Sequence, residues 1–446
     1  MLKVQLISKS STNRFQTSFT KLILCNAKMN VKACSMTTVF ILLIGAVTVL
    51  YCSFWALQEV FATDKLLRFL TNASRLFDTS WEDETYVPLM SRHRRRFLMW
   101  YFARPDIASL IGPDTGAEAT QYVIYRCDTG RMSTCGGWAD RIKGMMTAYI
   151  IANLTGRNFK VELLAKGCDI TEYLIPNLVD WRLPVSFHKS LQKLPNDTGI
   201  INFMNQRFAN FSELNLTSLT GAERFVYFKT NTFHVDLFKS AILFEHELSW
   251  MRSLTHDQVT ATVYKRLFVL HPRLQVKLQS FLFRTVPTPQ HKLVCVHVRM
   301  GQNPTIPRDS EIRNSPENLF RVWEFIEEQS KTDFHKVFIM ADSMQTIDEA
   351  GNQSFKSRIV ENPGPIIHVE RYPHEATKSD ICQAEDKIVF DQHVLMNCDI
   401  LMISYSGLSQ MAAFVRGSDH GLYCLLRNGT IVPCTTENIL TVYNQG

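Results

Sequence analysis

The first 57 residues contain no aspartate or glutamate. They do contain six basic residues, namely Lys3, Lys9, Arg14, Lys21, Lys28 and Lys32. The 446-residue chain has 48 basic and 42 acidic residues and a formal net charge of +6, so residues 58–446 carry 42 of each sign. Because the whole excess of charge lies in this short tail, the remainder lacks the basic surplus typical of nucleic-acid-binding domains. Charge therefore argues against nucleic acid as a partner.

Charge of either sign is missing from residues 36–57, a run of mostly apolar side chains. About 20 apolar residues are enough to cross a bilayer as a helix. Only basic residues precede the run, so the positive-inside rule places residues 1–35 in the cytosol and the rest of the chain on the far side. Bulky Phe54, Trp55 and Leu57 close the run, where a cleaved signal peptide would carry small residues. We predict a type II membrane protein with an uncleaved signal anchor.

The sequence has no Cys-x-x-Cys pair and no histidine cluster, so it predicts no zinc site. Eight cysteines follow the apolar run, and an even number in an oxidising compartment is compatible with disulfides. These are Cys127, Cys135, Cys168, Cys295, Cys382, Cys398, Cys424 and Cys434. Cys424 and Cys434 flank an Asn-Gly turn signal and are expected to pair across a hairpin. Cys127 and Cys135 form a second local candidate pair, whereas Cys295 lies among valines and is expected to be a buried thiol.

Acceptor sequences for N-glycosylation occur only beyond the apolar run. They begin at Asn72, Asn153, Asn196, Asn210, Asn215, Asn352 and Asn428. Asn-x-Ser/Thr sequences are modified on surface segments of secreted or lumenal chains, so their distribution agrees with the predicted topology. Asn153 lies in a stretch with helical spacing and is expected to remain unmodified.

The chain after the membrane segment is long enough for two ordinary domains. Residues 58–117 show weak periodicity and are interpreted as a stem, with the basic run at 92–96 as a solvated patch. Residues 118–290 and 291–446 are interpreted as the two domains. The second half is the more regular of the two, and both halves contain strands that alternate with helices.

The first half begins with a pattern typical of a βαβ unit. It consists of a strand at 121–125, the pair Gly136 and Gly137, a helix from about Asp140, and a strand at 158–164. Glycine lets a backbone or a ligand approach closely, and helix N-termini favour anions. Arg141, just inside the helix, adds a positive charge to this turn. The unit therefore predicts an anion site, although a Gly-Gly pair alone is often only a turn.

In the second half, four strands alternate with helices. Strands are predicted at 293–298, 337–340, 366–369 and 400–403, with helices over 316–330 and 378–396 and a further helix through 411–415. A serine and a proline at 315 and 316 form a helix start signal. This alternation predicts a parallel sheet with right-handed crossovers.

Polar side chains follow three of these strands at the point where each strand ends. They are Arg299, Asp342, and Ser404 with Ser406. Ligands of open α/β sheets bind outside the carboxyl ends of the strands, and an arginine there can bind a phosphate through two hydrogen bonds. The simpler alternative is a core strand followed by an arginine that pairs with a surface carboxylate. Convergence of three strand ends favours a ligand site.

These features, in this order, resemble the fucosyltransferase-like superfamily and most of all the α-1,2-fucosyltransferases. The matching segments are Gly136-Gly137 with Arg141, His297-Val-Arg299, Ala341-Asp342-Ser343, and the serine-rich segment from Ser404 to Ala413. Cys398 and Asp399, just before the last predicted strand, also fit the family's layout. The resemblance covers roughly residues 121–420, with the segments in the family's order and spacing.

The resemblance implies a GT-B-like fold with two Rossmann-like domains, and a Golgi enzyme that transfers fucose from GDP-fucose to a glycan hydroxyl, expected to be a galactoside. It implies inversion at the sugar carbon without a metal or other cofactor, and the sequence has no Asp-x-Asp metal clamp. Arg299 would bind phosphate and stabilise charge on the departing GDP. Donor-binding roles are implied for His297, Arg299, Gly301, Asp342, Ser343, Ser404, Ser406 and Ser409.

One segment departs from the family. Relatives commonly read His-x-Arg-Arg-Gly-Asp, whereas this chain has Met300 and Gln302 at the second arginine and at the aspartate. Gln302 cannot act as a base, so Asp309 and Glu311 are the candidate bases, with solvated loop charges as the alternative interpretation. The departure leaves open a catalytically weak relative that binds nucleotide sugar or glycan or acts as a partner subunit. It also leaves open a transferase with another donor or a protein acceptor.

Overall fold

The computed structural model describes residues 121–127, 136–163, 168–183, 198–202, 220–303, 306, 309, 311–369, 371 and 375–445. They belong to the compact unit Pro88–Gly446. The predicted signal anchor, the stem, Cys135 and the sequons at Asn72, Asn196, Asn210 and Asn215 lie outside these residues, so those predictions stay predictions. Within the described ranges, no helix has the length and apolar character needed to span a bilayer.

Short strands alternate with helices along the chain. The strands are β1 (Tyr122–Cys127), β2 (Asn158–Leu163), β3 (Leu174–Pro176), β4 (Thr198–Asn202), β5 (Phe225–Lys229), β6 (Phe268–Leu270), β7 (Lys292–Val298), β8 (His335–Ala341), β9 (Ile400–Ile403), β10 (Leu422–Leu425) and β11 (Ile431–Pro433). The helices are α1 (Trp138–Leu154), α2 (Val235–Ser240), α3 (Ser249–Arg252), α4 (His256–Leu267), α5 (Pro272–Thr285), α6 (Leu319–Gln329), α7 (Met344–Ala350), α8 (Lys378–Leu395), α9 (Gly407–Arg416) and α10 (Ile439–Gln445).

The strands form two main sheets. The first has the order β2-β1-β5-β4 and is parallel throughout. The second has the order β11-β10-β9-β7-β8 and is parallel except for the hairpin of β10 and β11. Strands β3 and β6 form a small antiparallel pair. The predicted α/β class with parallel, Rossmann-like sheets is thereby confirmed.

The strand predicted at 366–369 is wrong. This segment does not pair with either main sheet, and His368 makes only an isolated bridge with Arg371. Two prolines, Pro363 and Pro365, precede it, and proline cannot donate to a ladder. β8 is the outer strand of the second sheet, and at its free edge the only pairing seen among the described residues is an isolated bridge between Val337 and Ile359. Residues 365–369 instead line a cleft between the sheets.

The strands that follow β7 along the chain, β8 and β9, lie on opposite sides of it, which places a switch point of the strand order at the carboxyl ends of β7 and β9. β7 pairs with β8 on one side and with β9 on the other, and its apolar residues are fully buried. In open parallel sheets, ligands bind at such a point. Helix α1 follows the first strand of the first sheet, and α9 follows β9 of the second. These two helices contact each other, and residues of both belong to one hydrophobic core.

Three disulfides join described residues. Cys424 and Cys434 are bonded across the hairpin of β10 and β11. Cys295 is bonded to Cys398, so the prediction that Cys295 is a buried thiol is wrong. No local signal links two cysteines 103 residues apart; β7 and β9 bring them together as neighbours. Cys168 is bonded to Cys382 in α8. Cys127 is also disulfide-bonded, and its predicted pairing with Cys135 stays a prediction.

Candidate functional site

A cleft of about 580 Å³ lies between the two main sheets. One wall is the Gly136-Gly137 turn with the first turn of α1. The opposite wall comes from the carboxyl ends of β7 and β8 and from the start of α9. Residues 365–369 form a third wall between them. The volume is within the range of small-ligand and cofactor sites.

Two helix N-termini open into this cleft. α1 begins after Gly137, and α9 begins after Ser406, which occupies its N-cap position. A Cβ built on Gly407 would lie 2.9 Å from Lys143 Nζ and 3.5 Å from Ala139 Cβ, so the two helix starts are in close contact. Gly136 has a φ of +79°, a left-handed conformation that favours glycine. The helix dipoles, and the backbone amides at the start of α9 that no side chain caps, make this meeting point attractive to an anion.

His297 and two of the predicted serines form a buried hydrogen-bonded group. His297 Nδ1 lies 2.9 Å from Ser409 Oγ and 3.1 Å from Ser404 Oγ. Ser404 Oγ also accepts the Arg299 backbone N–H at 3.0 Å. Burial, reinforced by the nearby Arg299 charge, lowers the pKa of His297 to about 3, so the ring is neutral at physiological pH. Ser404 and Ser409 therefore support the end of β7, whereas His297 and Ser406 line the cleft.

Arg299 lines the cleft, but its guanidinium is held by two carboxylates. It donates hydrogen bonds to Asp309 and to Asp342. Asp342 also accepts the backbone N–H groups of Met300 at 2.8 Å and Gly301 at 3.0 Å. Asp342 lines the cleft, whereas the predicted neighbour Ser343 does not and instead occupies the N-cap position of α7.

Neither predicted base projects into the cleft. The side chain of Asp309 is 1% exposed, bonds Arg299 and accepts the Asn303 backbone N–H at 3.0 Å. Glu311 is 64% exposed, pairs with Arg427 at 3.1 Å and lies outside the cleft lining. The expectation that either reaches an acceptor is therefore not supported by their positions, because each carboxylate is committed to an arginine.

The close approach predicted at Gly301 does occur, but the group that approaches this glycine is the backbone of the same chain and not a ligand. Gly301 has a φ of +73°, and a Cβ there would overlap the Glu311 carbonyl oxygen. Met300 is buried in the core of the second sheet, where an arginine would have to bury its charge. Gln302 also adopts a positive φ of 46°. The departures from the family segment therefore coincide with a tight turn that packs on residues 311–313.

Arg141 lies behind the cleft, not in its lining. The buried guanidinium donates to the Val369 carbonyl at 2.9 Å and lies 3.9 Å from Glu385. Glu385 also accepts hydrogen bonds from the Tyr173 hydroxyl at 2.6 Å and from the Cys168 backbone N–H at 2.9 Å. Burial and the adjacent carboxylate raise the pKa of Tyr173. Arg141 thus fastens the 365–369 wall to α1 and α8.

Several lining residues carried no sequence signal. They include Lys143, Asn231, Arg313, His368, Arg371, Lys387 and Asp391. Burial, followed by the Arg299 charge, lowers the pKa of His368 to about 4. The Pro-Gly-Pro sequence at 363–365 could have identified the irregular wall, since proline and glycine together mark loops. Nothing comparable marks Arg313 or Arg371, because only the fold brings them to the cleft.

The described residues contain no group of three or more His, Cys, Asp or Glu side chains placed to hold a metal ion. The three acidic residues of the described cleft lining, Asp140, Asp342 and Asp391, each lie near a basic side chain. Lys387 Nζ, for example, lies 2.8 Å from Asp391 Oδ2. The lining as a whole holds more cationic than anionic side chains.

Comparison with known proteins found no matching family model and no matching curated protein. Among solved structures, the chain is similar to a mutant of Arabidopsis thaliana FUT1 in complex with GDP, with 13% identity over 70% of this chain and 71% of that one and a TM-score of 0.48. It is similar to NodZ α-1,6-fucosyltransferase soaked with GDP-fucose, with 12% identity, coverage of 70% and 99%, and a TM-score of 0.42. A third similar structure is POFUT1 in complex with GDP, with 13% identity, coverage of 68% and 96%, and a TM-score of 0.35. At these levels of likeness, the residues of the cleft must decide the function.

Proposed function

We propose that this chain is a fucosyltransferase that transfers fucose from GDP-fucose to a glycan hydroxyl, a galactoside, with inversion at the sugar carbon. The observation that carries the proposal is the meeting of the α1 and α9 N-termini in a cleft between the two main sheets. Basic side chains in the same walls add charge that favours a diphosphate. The choice of GDP-fucose follows from the family resemblance of the segments that form these walls.

The proposed reaction is a direct displacement. The acceptor oxygen forms a bond to C1 of fucose while the bond from C1 to the diphosphate oxygen breaks. The electron pair of that bond leaves with GDP, whose growing negative charge is stabilised by the α9 N-terminus and the basic side chains. The acceptor proton passes to a base. Attack opposite the departing diphosphate inverts the sugar carbon.

Asp140 is the residue we propose as this base. It lines the cleft, its side chain is 36% exposed, and Oδ1 lies 3.6 Å from Lys143 Nζ. Its Oδ2 accepts the Gly137 backbone N–H at 3.1 Å, which orients the carboxylate at the start of α1. The other two carboxylates of the lining are held more closely, Asp342 by Arg299 and Asp391 by Lys387 at 2.8 Å, whereas Asp140 lies 3.6 Å from its cation. Asp140 is thus the carboxylate of the described lining that is best placed to meet an acceptor.

We also propose that the protein is a Golgi membrane protein whose cleft faces the lumen. The charge-free run at 36–57 and the basic tail before it support this topology. Disulfides in the described part of the chain suit an oxidising compartment. The sequons at Asn352 and Asn428 lie on exposed residues, whereas Asn153 lies in the last turn of α1.

A nucleotide-sugar-binding or glycan-binding protein without turnover is the second candidate. Gln302 cannot act as a base, and both Asp309 and Glu311 are paired with arginines. These observations favour a protein that retains a binding cleft after losing the family's base. Donor binding is common to both candidates, so turnover separates them.

The test uses the full chain, purified in detergent, with GDP-fucose titrated by calorimetry and GDP-mannose as competitor. The same samples are assayed for GDP release with and without β-galactosides. Binding selective for GDP-fucose, with release stimulated by a galactoside, is the expected result. Binding of GDP-fucose without release of GDP, whichever acceptor is added, supports the second candidate. Absence of binding by a folded chain contradicts both.

A further inference from the structure

We propose that Arg313, held against the ring of Tyr405, binds the diphosphate of the donor, and that Arg299 instead positions the loop after β7. This inference rests on the proposed function, because it names the side chain that recognises the charged part of the same ligand. It assigns different tasks to two arginines that both line the cleft.

The hydrogen-bonding capacity of Arg299 is directed into the protein. Its side chain is 13% exposed and donates to Asp309 and Asp342. A phosphate bound to these donors would have to displace a carboxylate that would then remain buried without its cation. Breaking a buried ion pair in this way is strongly unfavourable. The same carboxylates also fix the backbone amides of Met300, Gly301 and Asn303, as expected for a cation that organises a turn.

Arg313 has no comparable partner. Its nearest carboxylate oxygen among the described residues is Glu311 Oε1, at 4.0 Å, and that oxygen lies closer to Arg427, at 3.1 Å. No hydrogen-bond acceptor for the Arg313 guanidinium is found in the described part of the chain, although its side chain is only 23% exposed. A cation that is largely buried in a cleft and lacks a hydrogen-bond acceptor is suited to an anionic ligand.

The surroundings of Arg313 hold its guanidinium where a diphosphate would sit. The guanidinium carbon lies 4.7 Å from the centre of the Tyr405 ring. The Arg313 backbone N–H donates to the Met300 carbonyl at 2.7 Å, which ties its loop to the end of β7. Tyr405 directly precedes Ser406, the N-cap residue of α9. A guanidinium stacked on a ring can keep its N–H groups available for two parallel hydrogen bonds to phosphate, which a lysine cannot reproduce.

Arg427 provides a matched control. Its guanidinium carbon also lies 4.7 Å from the Tyr405 ring centre, and it pairs with the same Glu311. It does not line the cleft. Replacement of Arg427 therefore removes an equivalent contact with the Tyr405 ring and an ion pair with the same carboxylate, without removing a charge from the proposed diphosphate site.

The experiment titrates inorganic pyrophosphate, GDP and guanosine into the full chain and into the variants R313Q, R313K, R427Q, R371Q and R299Q. We expect R313Q to weaken GDP and pyrophosphate binding at least tenfold and to leave guanosine binding within twofold. R313K should recover part of the loss, and R427Q should bind all three ligands within twofold of the unchanged chain. Thermal unfolding of each variant confirms that the comparison is between folded proteins.

Other outcomes overturn the inference. If R313Q binds GDP as the unchanged chain does, or if R371Q alone loses the diphosphate contribution, Arg313 is not the phosphate ligand. The same follows if R299Q keeps its melting temperature and loses GDP binding. If pyrophosphate binding depends on Arg313 while GDP-fucose does not bind, the anion site stands and the donor assignment fails. If neither pyrophosphate nor GDP binds the unchanged chain, the anion site at Arg313 and the donor assignment are both overturned.

Discussion

At the scale of single residues, charge pairing changes the roles that the sequence suggests. Arg299 ends a buried strand, which indicates a ligand-binding position, but sequence alone could not show that Asp309 folds back onto it. Asp140 was predicted only as the start of a helix. Its exposure to the cleft depends on how α1 approaches α9, which is a property of the tertiary structure.

Replacement of Asp140 by asparagine tests the proposed base. Asparagine has an oxygen that can still accept the Gly137 N–H, so the start of α1 should be preserved. We expect kcat to fall by about 10²-fold or more, the usual effect of removing a general base, with little change in GDP affinity. The measurements are GDP release with a β-galactoside and GDP titration. Equal turnover by the variant would contradict the assignment.

Three buried histidines and the half-buried His368 make the stability of the protein sensitive to acid. Burial is the leading cause that lowers the pKa of His297 to about 3 and those of His234, His368 and His393 to about 4. In the unfolded chain these groups would titrate near 6.5. Between about pH 6.5 and 4 the unfolded state therefore binds more protons, so the free energy of unfolding falls as the pH falls through this window.

We expect each such histidine to contribute roughly 1 kcal/mol per pH unit in this window. Denaturant unfolding of the full chain at pH 7 and pH 5 measures the total. His393 lies outside the cleft lining. In the variant H393Q the free energy of unfolding should depend less steeply on pH, by the contribution of about one proton. An unchanged pH dependence in H393Q would show that His393 is not held neutral by burial.

At the scale of elements, apolar runs of strand length predicted three strands of the second sheet correctly and a fourth one wrongly. The strands predicted at 293–298, 337–340 and 400–403 lie within or coincide with β7, β8 and β9. Strands inside a parallel sheet are buried on both faces, so a continuous apolar run bounded by polar residues predicts them well. The segment 366–369 has the same composition but forms a wall of the cleft. Its neighbouring prolines and the lack of a pairing partner outweighed β-propensity.

The contact between α1 and the first sheet depends on Gly144. A Cβ at this position would overlap the Thr230 carbonyl oxygen and lie 2.5 Å from the Tyr125 ring. Helix propensity alone predicts that G144A stabilises the protein by about 1 kcal/mol. Packing predicts the opposite sign, a loss of about 2 kcal/mol, because a backbone atom cannot move aside cheaply.

Chemical unfolding of G144A distinguishes the two expectations. G156A is the control, because Gly156 has a φ of +63° but no atom within 4 Å of a built Cβ. Its cost should be limited to the left-handed conformation, about 1 kcal/mol. If G144A is as stable as the unchanged chain, α1 is not held against β1 and β5 by this close approach.

At the scale of the whole molecule, the two sheets are linked by contacts that sequence reasoning could not locate. The Cys168–Cys382 disulfide joins residues 214 apart, and the Trp138 indole N–H donates to Gln392 Oε1 at 3.0 Å. Such long-range pairs leave no periodic signal. They hold the α1 side of the cleft to α8 of the other half, so the geometry of the cleft depends on them.

Removal of the Cys168–Cys382 disulfide should therefore affect both stability and binding. By the loop-closure model, a 214-residue loop contributes about 5 kcal/mol and the 10-residue loop of Cys424–Cys434 about 3 kcal/mol. We expect the double variant C168S/C382S to lose more stability than C424S/C434S in thermal unfolding. Only the first should also weaken GDP binding, because Cys168 adjoins Glu385 and thus the Arg141 contact that holds the 365–369 wall. Equal losses of GDP affinity in both variants would mean that the cleft does not depend on the link between the two sheets.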